Sequence, residues 1–281
     1  MQVKKHSGEL VPFDPSSLKY SLSRSGAAPE EVTTVYEKIQ PKLYDGISTK
    51  ELYKLAFEQL KNHRESYAAR YSLKKALREL GPEGFYFEKW VARLFADEGY
   101  DSTTGQTVQG HAVSHEIDVV ALKENKMLAV ECKFRNDIDA KISVTTPMYF
   151  MSRVKDITGI PYTFFGQKNH FSEGWLVTNA YFTSDSIDFG QYYSMNLLSW
   201  DYPKSSSIKL RVDDNGLYPI TCLTSLTDID KGLLLKNQII LVKELVQNPS
   251  VLRRVNIDKE KGQKILKEAC ELINSPVEVE Y

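Results

Sequence analysis

The chain has 281 residues, 42% of them hydrophobic and 26% charged, with a formal net charge of −1; that length exceeds one compact domain and allows two or three units, each with its own core. No segment approaches the ~18–20 uninterrupted apolar residues of a membrane span, and the first residues, Met1-Gln2-Val3-Lys4-Lys5-His6, lack the apolar stretch of a secretory signal. Three widely spaced cysteines, Cys132, Cys222 and Cys270, exclude a disulfide framework and a zinc ribbon, so a cytoplasmic protein with reduced thiols and no membrane partner is expected.

In chain order, the first 84 residues read as a short strand or hairpin followed by four helices. Asp14-Pro15 is a helix start, an acceptor side chain followed by a residue whose missing N–H costs nothing there, and Gly26 lies where the helix would end. A second helix is predicted from Pro29 to about Leu43. Ser48-Thr49-Lys50-Glu51 spells a capping box that opens a third, with Leu52, Leu55, Ala56 and Leu60 on one stripe. The fourth is predicted from about Glu65 to Leu80, stopped by Gly81-Pro82-Glu83-Gly84, which marks a domain boundary.

Beyond that boundary the pattern changes. An amphipathic helix carrying Phe87, Trp90, Val91, Leu94 and Phe95 ends at Gly99, and strand-like runs follow at Ile117–Leu122, Met127–Phe134 and Gly174–Asn179. Helical sequence around Pro147–Ile157 and Ser184–Tyr193 separates the later strands, the pattern of an α/β domain with a mixed sheet flanked by helices. From Leu223 the spacing is helical again, through Leu233, Leu241, Leu245, Ile265 and Leu272. A phosphate-binding hairpin there would need a glycine between Pro249 and Ile257, and none is present, so these helices read as a packing or dimer pair. Residues Pro276–Tyr281 read as a tail. The expected division is 1–83, 84–220 and 221–281.

Residues 85–220 carry 13 Lys and Arg against 17 Asp and Glu. Such a segment is a poor footprint for phosphates by charge alone; a nucleic-acid role would rest on cations bound beside clustered carboxylates. The runs His115–Leu122 and Met127–Phe134 form a hairpin whose turn centres between Glu124 and Asn125, which makes facing positions sum to 249. Asp118 then faces Glu131, and strand alternation puts Lys133 on the same face as Glu131. Facing carboxylates repel, and a desolvated pair holds a proton unless a hard divalent cation intervenes. Magnesium needs only one or two carboxylates alongside water and phosphate oxygens, and the lysine would orient a water or offset developing charge. Glu88, at the border of the buried helix stripe, can reach the same patch as a third acid. The alternatives are a solvated cross-strand salt-bridge set, and for Glu88 an ordinary glutamate favoured near a helix start.

Gly84-Phe85-Tyr86-Phe87-Glu88, Gly99-Tyr100, Glu116-Ile117-Asp118-Val119-Val120-Ala121 and Val130-Glu131-Cys132-Lys133 resemble the Mrr-like branch of the PD-(D/E)xK restriction endonucleases over about residues 84–202. The resemblance implies a type IV or Mrr-like restriction or defence endonuclease that hydrolyses DNA phosphodiesters with Mg2+. Glu88, Asp118, Glu131 and Lys133 would be catalytic, with Asp118 and Glu131 as metal ligands. Glu116 departs from the glycine usual two places before the aspartate.

Val3-Lys4-Lys5-His6-Ser7-Gly8, Phe13-Asp14 and Tyr67-Ala68-Ala69-Arg70-Tyr71 resemble the ATP-cone, a small domain that binds adenine nucleotides and sets activity or oligomeric state. His6 stands at the family's arginine and Ser17 at its later lysine. The resemblance implies ATP or dATP as effector, contacts from Val3, Lys5, His6 and Thr49, and a homodimer or higher oligomer. Two further readings remain open: a non-catalytic, nucleotide-responsive DNA-binding regulator, and a nuclease acting on RNA or a branched junction.

Overall fold

The computed structural model describes residues 1–81 and 84–274. Pro82 and Glu83 of the predicted boundary, and the predicted tail Pro276–Tyr281, lie outside the described residues. Contacts gather Met1–Leu73 and the segment from Ile220 onward into one compact unit, and Lys74–Pro219 into another.

The first unit opens with strand β1 (Gln2–Lys4), which pairs antiparallel with β2 (Leu10–Pro12) and parallel with β3 (Ile47–Ser48), so that Val3 lies beside both Val11 and Ile47. Helix α1 (Pro15–Ser23) begins where Asp14 accepts the N–H groups of Ser16 at 2.9 Å and Ser17 at 3.1 Å. Helix α2 (Pro29–Ile39) tightens into a 3-10 turn over Gln40–Lys42, because Pro41 has no N–H to continue it. Helix α3 (Thr49–His63) carries the Ser48–Glu51 capping box. The helix predicted from Glu65 to Leu80 is two, α4 (Glu65–Tyr71) in this unit and α5 (Leu73–Arg78), which from Lys74 belongs to the second. They part at Ser72, whose hydroxyl donates back to the Ala69 carbonyl at 2.9 Å and competes with the helical ladder. Leu22, Val35, Ile39, Ala56, Leu60 and Ala68 form the core between these helices.

In the second unit, α6 (Phe85–Asp97) precedes β4 (Asp101–Gln109), β5 (Ser114–Lys123), β6 (Lys126–Lys133), β7 (Lys141–Ile142), α7 (Thr145–Ile157), β8 (Pro161–Phe164), β9 (Gln167–Thr178), β10 (Tyr181–Phe182), α8 (Ser184–Tyr192), β11 (Asn196–Leu198) and α9 (Ile208–Asn215). The main sheet has six strands, in the order β11-β9-β6-β5-β4 with β8 paired to β9, while β7 and β10 form a small parallel pair. Strand β6 lies between antiparallel β5 and parallel β9. Every residue of β6 from Met127 to Cys132 is buried, so both faces of this strand are covered, as in sheets packed on both sides. The expected register holds: Val119 faces Val130 and Lys123 faces Lys126, each pair summing to 249. Strand β4 was not expected from its sequence; it lies at the end of the sheet order and buries only Val108, so its polar run Asp101–Gln109 shows no apolar alternation. The indole N–H of fully buried Trp90 donates to the Leu217 carbonyl at 3.0 Å.

The chain then returns to the first unit through α10 (Asp228–Lys236), α11 (Val242–Gln247), α12 (Val251–Arg254) and α13 (Lys259–Leu272). Helix α13 packs on α4. Arg70 Nη2 donates to the Leu272 carbonyl at 2.9 Å, Lys61 Nζ to the Thr224 carbonyl at 3.2 Å, and Lys264 pairs with Glu65 at 3.0 Å. Buried Glu268 fixes the start of this segment by accepting the N–H groups of Thr224 at 2.7 Å and Ser225 at 2.9 Å. Glu268→Ala strands two backbone donors and is expected to cost about 2–3 kcal/mol, read as a lower urea midpoint. Exposed Lys264→Ala should change it by less than about 0.5 kcal/mol.

Candidate active site

The site begins at a glycine. Gly84 caps α6 with φ +84°, and a Cβ built there would stand 3.1 Å from Cβ of Phe134, so the left-handed backbone and the close approach both call for glycine. From that start Glu88 comes to the wall of a cavity of about 440 Å³ shared with Gly84, Cys132, Lys133, Phe134, Arg135 and Asn136. Helix α6 is anchored by Phe87, Trp90 and Phe95, all fully buried.

Asp118 and Glu131 meet just beyond the last paired residues of β5 and β6, Val119 and Val130. There an Asp118 oxygen accepts the Cys132 N–H at 2.7 Å, a side chain taking the place of a backbone acceptor. Glu131 is buried at 3% exposure, yet both its oxygens are occupied: Lys133 Nζ donates to Oε1 and Arg153 Nη1 to Oε2. Arg153 Nη2 also donates to the Glu116 carbonyl. Glu116 itself is exposed and faces Thr107 of β4.

Four acids near two cations leave negative charge uncompensated. Burial, then the Glu131 charge, pushes Asp118 up to about 6, against the pull of the Cys132 N–H and of Lys133 and Arg153. Burial, followed by repulsion from Asp118, Glu116 and Glu131, pushes Glu88 up to about 7, with Lys133 opposing. Burial also drives the Cys132 thiol well above its usual range, which favours its neutral form. The structure thus brings Glu88, Asp118, Glu131 and Lys133 into one neighbourhood.

The donor set bears on the metal. Among the described residues no group of three or more His, Cys, Asp or Glu side chains is gathered closely enough to enclose an ion. Two facing carboxylates with excess negative charge fit a hard divalent cation that completes its shell with water and substrate oxygens.

Three side chains of this neighbourhood escaped the sequence reading. Arg153 lies on a predicted helix with nothing in its spacing to single it out. Asn179 clamps the chain after Lys133, its oxygen accepting the Arg135 N–H and its amide donating to the Arg135 carbonyl, both at 2.8 Å, and Thr178 donates to the Lys133 carbonyl at 2.5 Å. Buried Thr178 and Asn179 close an apolar strand run, and polar residues at such an end are the one signal that pointed to them.

In the first unit Val3 is buried, whereas Lys5, His6 and Thr49 are exposed. The parallel pair Lys4 and Ser48 sets Lys5 and Thr49 one residue beyond it, at the same edge. Lys5 pairs with Glu9 at 3.1 Å, and its N–H donates to the Glu9 carbonyl at 2.8 Å across the turn containing Gly8.

Residues 1–80 match the family described as ATP cone domain, residues 80–202 that described as restriction endonuclease, and residues 218–273 that described as AF1548-like, C-terminal. The chain joins an ATP cone to an Mrr-type restriction endonuclease domain and an AF1548-like C-terminal domain. It is similar to an uncharacterized protein of Archaeoglobus fulgidus, 29% identical over 187 residues that span 65% of this chain and 99% of the relative. The crystal structure of AF1548, a protein of unknown function, superposes with a TM-score of 0.55 at 27% identity, over 68% of this chain and 98% of that one. The restriction-endonuclease-like domain coincides with the mixed sheet that carries the acidic neighbourhood, and no helix among the described residues is long and apolar enough to cross a membrane.

The raised acids make a prediction about stability. Folded Asp118 keeps its proton up to about 6, while the unfolded chain releases it near 3.8, so the folded state binds more protons in that window and loses stability as pH rises through it. In EDTA, Asp118→Asn is expected to raise stability by about 1–3 kcal/mol at about pH 8 and to leave it nearly unchanged at about pH 3.5. Urea denaturation at the two pH values measures both.

Proposed function

We propose that the chain is a metal-dependent DNA endonuclease of the type IV or Mrr-like restriction class, with an N-terminal domain responsive to adenine nucleotide. The observation that carries this reading is the meeting of Asp118, Glu131 and Lys133 where β5 and β6 part, beside the Glu88 cavity. Asp118 and Glu131 would hold Mg2+, which when bound supplies a more acidic water and neutralises charge on the scissile phosphate. Lys133, a third exposed, faces solvent enough to orient the attacking water or to meet the phosphorane oxygens. Glu88, held near 7, can take or release a proton at neutral pH. The 13 basic against 17 acidic residues of this segment make bound cations the means by which a polyanion approaches it.

A second reading has its own observation: Glu131 is already paired on both oxygens without any metal. A DNA-binding regulator that uses the fold only as a clamp would be built that way. Plasmid cleavage with and without Mg2+ separates the two. Asp118→Ala and Glu131→Ala are expected to lose cleavage by several orders of magnitude with circular dichroism unchanged. Lys133→Ala should keep Mn2+ and DNA binding but lose cleavage, and Lys133→Arg should not restore it, since a guanidinium keeps its proton and has a different shape. Full cleavage by Lys133→Ala, or Mg2+-independent DNA binding without cleavage by the parent protein, would favour the clamp.

In the cone, ATP or dATP would meet Val3, Lys5, His6 and Thr49 at the shared edge of β1 and β3 and shift assembly into a homodimer or higher oligomer, or DNA affinity. The sequence holds no phosphate-binding P-loop, so the nucleotide acts by binding and is not hydrolysed. Coupling of about 1–3 kcal/mol would change assembly or DNA affinity about 5- to 150-fold. Calorimetry and sedimentation with ATP, ADP and dATP are expected to show binding that Lys5→Ala weakens. No heat and no change in sedimentation at millimolar nucleotide would leave the cone a purely structural domain.

A further inference from the structure

The backbone ladder between β5 and β6 stops at Val119 and Val130, whereas β5 stays paired with β4 as far as Ser114. The two strands therefore part at the place where Asp118 and Glu131 project. Two contacts bridge the gap. One is the Cys132 N–H on the Asp118 carboxylate. The other is Arg153, which reaches in from α7 and spans from the Glu131 carboxylate on β6 to the Glu116 carbonyl on β5. Its side chain is 12% exposed, and its guanidinium lies 5.9 Å from the Tyr149 ring centre.

The two cations on Glu131 differ in kind. Lys133 is a flexible point charge, a third exposed, beside the cavity and two residues along the same strand. Arg153 is a planar fork fixed at both prongs, one to a carboxylate and one to a main-chain oxygen, which is the geometry a guanidinium offers and an ammonium does not. Oε1 can thus change partners while Oε2 stays held.

Resting on the metal-site reading above, we propose that Arg153 is the positioning residue for Glu131: it keeps Oε2 and the Glu116 carbonyl in place across the parting strands, so that Oε1 exchanges Lys133 for a divalent cation. Arg153 touches neither the cation nor the phosphate. It fixes where the carboxylate stands, and its positive charge opposes that of the cation.

This assigns Arg153 a signature that a simple fold-stabilising ion pair lacks. Its removal takes away a like charge from beside the cation, so binding of the metal should not weaken, while a carboxylate out of position by a fraction of an ångström to about an ångström costs on the order of 100-fold in turnover. The experiment is calorimetry with Mn2+ alone on the full chain, in parallel with plasmid cleavage, for the parent protein, Arg153→Met, Arg153→Lys and Asp118→Asn. Expected is Mn2+ affinity for Arg153→Met equal to the parent's or up to about 10-fold tighter, with kcat about 100-fold lower and KM for DNA within about 3-fold. Arg153→Lys should also cleave poorly, since one ammonium cannot span both acceptors. Parent-like turnover in Arg153→Met overturns the assignment, as does a loss of Mn2+ binding and of turnover that Arg153→Lys restores together. If Arg153→Met fails to fold, Arg153→Lys with the parent's denaturation midpoint decides alone, and full turnover there overturns it. Absence of Mn2+ binding by the parent, with Asp118→Asn no different, is the distinct result that removes the metal site and this role with it.

Discussion

Like charges in a partly buried patch must be held together against their own repulsion, and the second unit is arranged around that constraint. Glu88, Asp118 and Glu131 come from a helix and two strands, and each is held against its fellow acids' repulsion by a different means. Glu88 is placed by a helix that starts at a positive-φ glycine and is locked by Phe87, Trp90 and Phe95. Asp118 is held by a backbone N–H. Glu131 is held by two cations. The cost remains visible in the acids themselves, two of which are driven toward neutral pH, and apolar burial elsewhere in the sheet has to offset it.

That offset comes from the position of β6. An interior strand with neighbours on both sides buries six consecutive residues, Met127 to Cys132, and delivers Glu131 at the end of the run with little freedom to move. The next residues are held by side chains as well: Thr178 and Asn179 at the end of β9 hold the main chain at Lys133 and Arg135. A site on a strand between two others is more rigid than one on a loop, and the two clamps carry that rigidity past the point where the strand ends.

Much of this was legible in the sequence, for a physical reason. Two apolar strands joined by a short turn admit only one register that buries their apolar faces, so arithmetic on positions was enough to set Val119 opposite Val130 and to put Asp118 and Glu131 next beyond them. The helix carrying Glu88 was legible because its stripe of Phe87, Trp90, Val91, Leu94 and Phe95 is wide and unbroken. What escaped depends on long-range contact. Arg153 is an ordinary basic residue on an amphipathic helix until α7 packs on β9 and points it at Glu131. Strand β4 is polar because it lies at the end of the sheet order, and polar strands lose the period-2 signal. The break at Ser72 turns on a single hydroxyl returning to its own helix.

The C-terminal helices were readable as helices but not as to their partner, since an amphipathic face does not name what covers it. In space they belong with the N-terminal segment: α13 meets α4, and Glu268 ties down the chain as it re-enters that unit. The restriction-endonuclease-like unit is therefore an insertion within the other, joined to it by chain at both ends, near Leu73 and near Ile220.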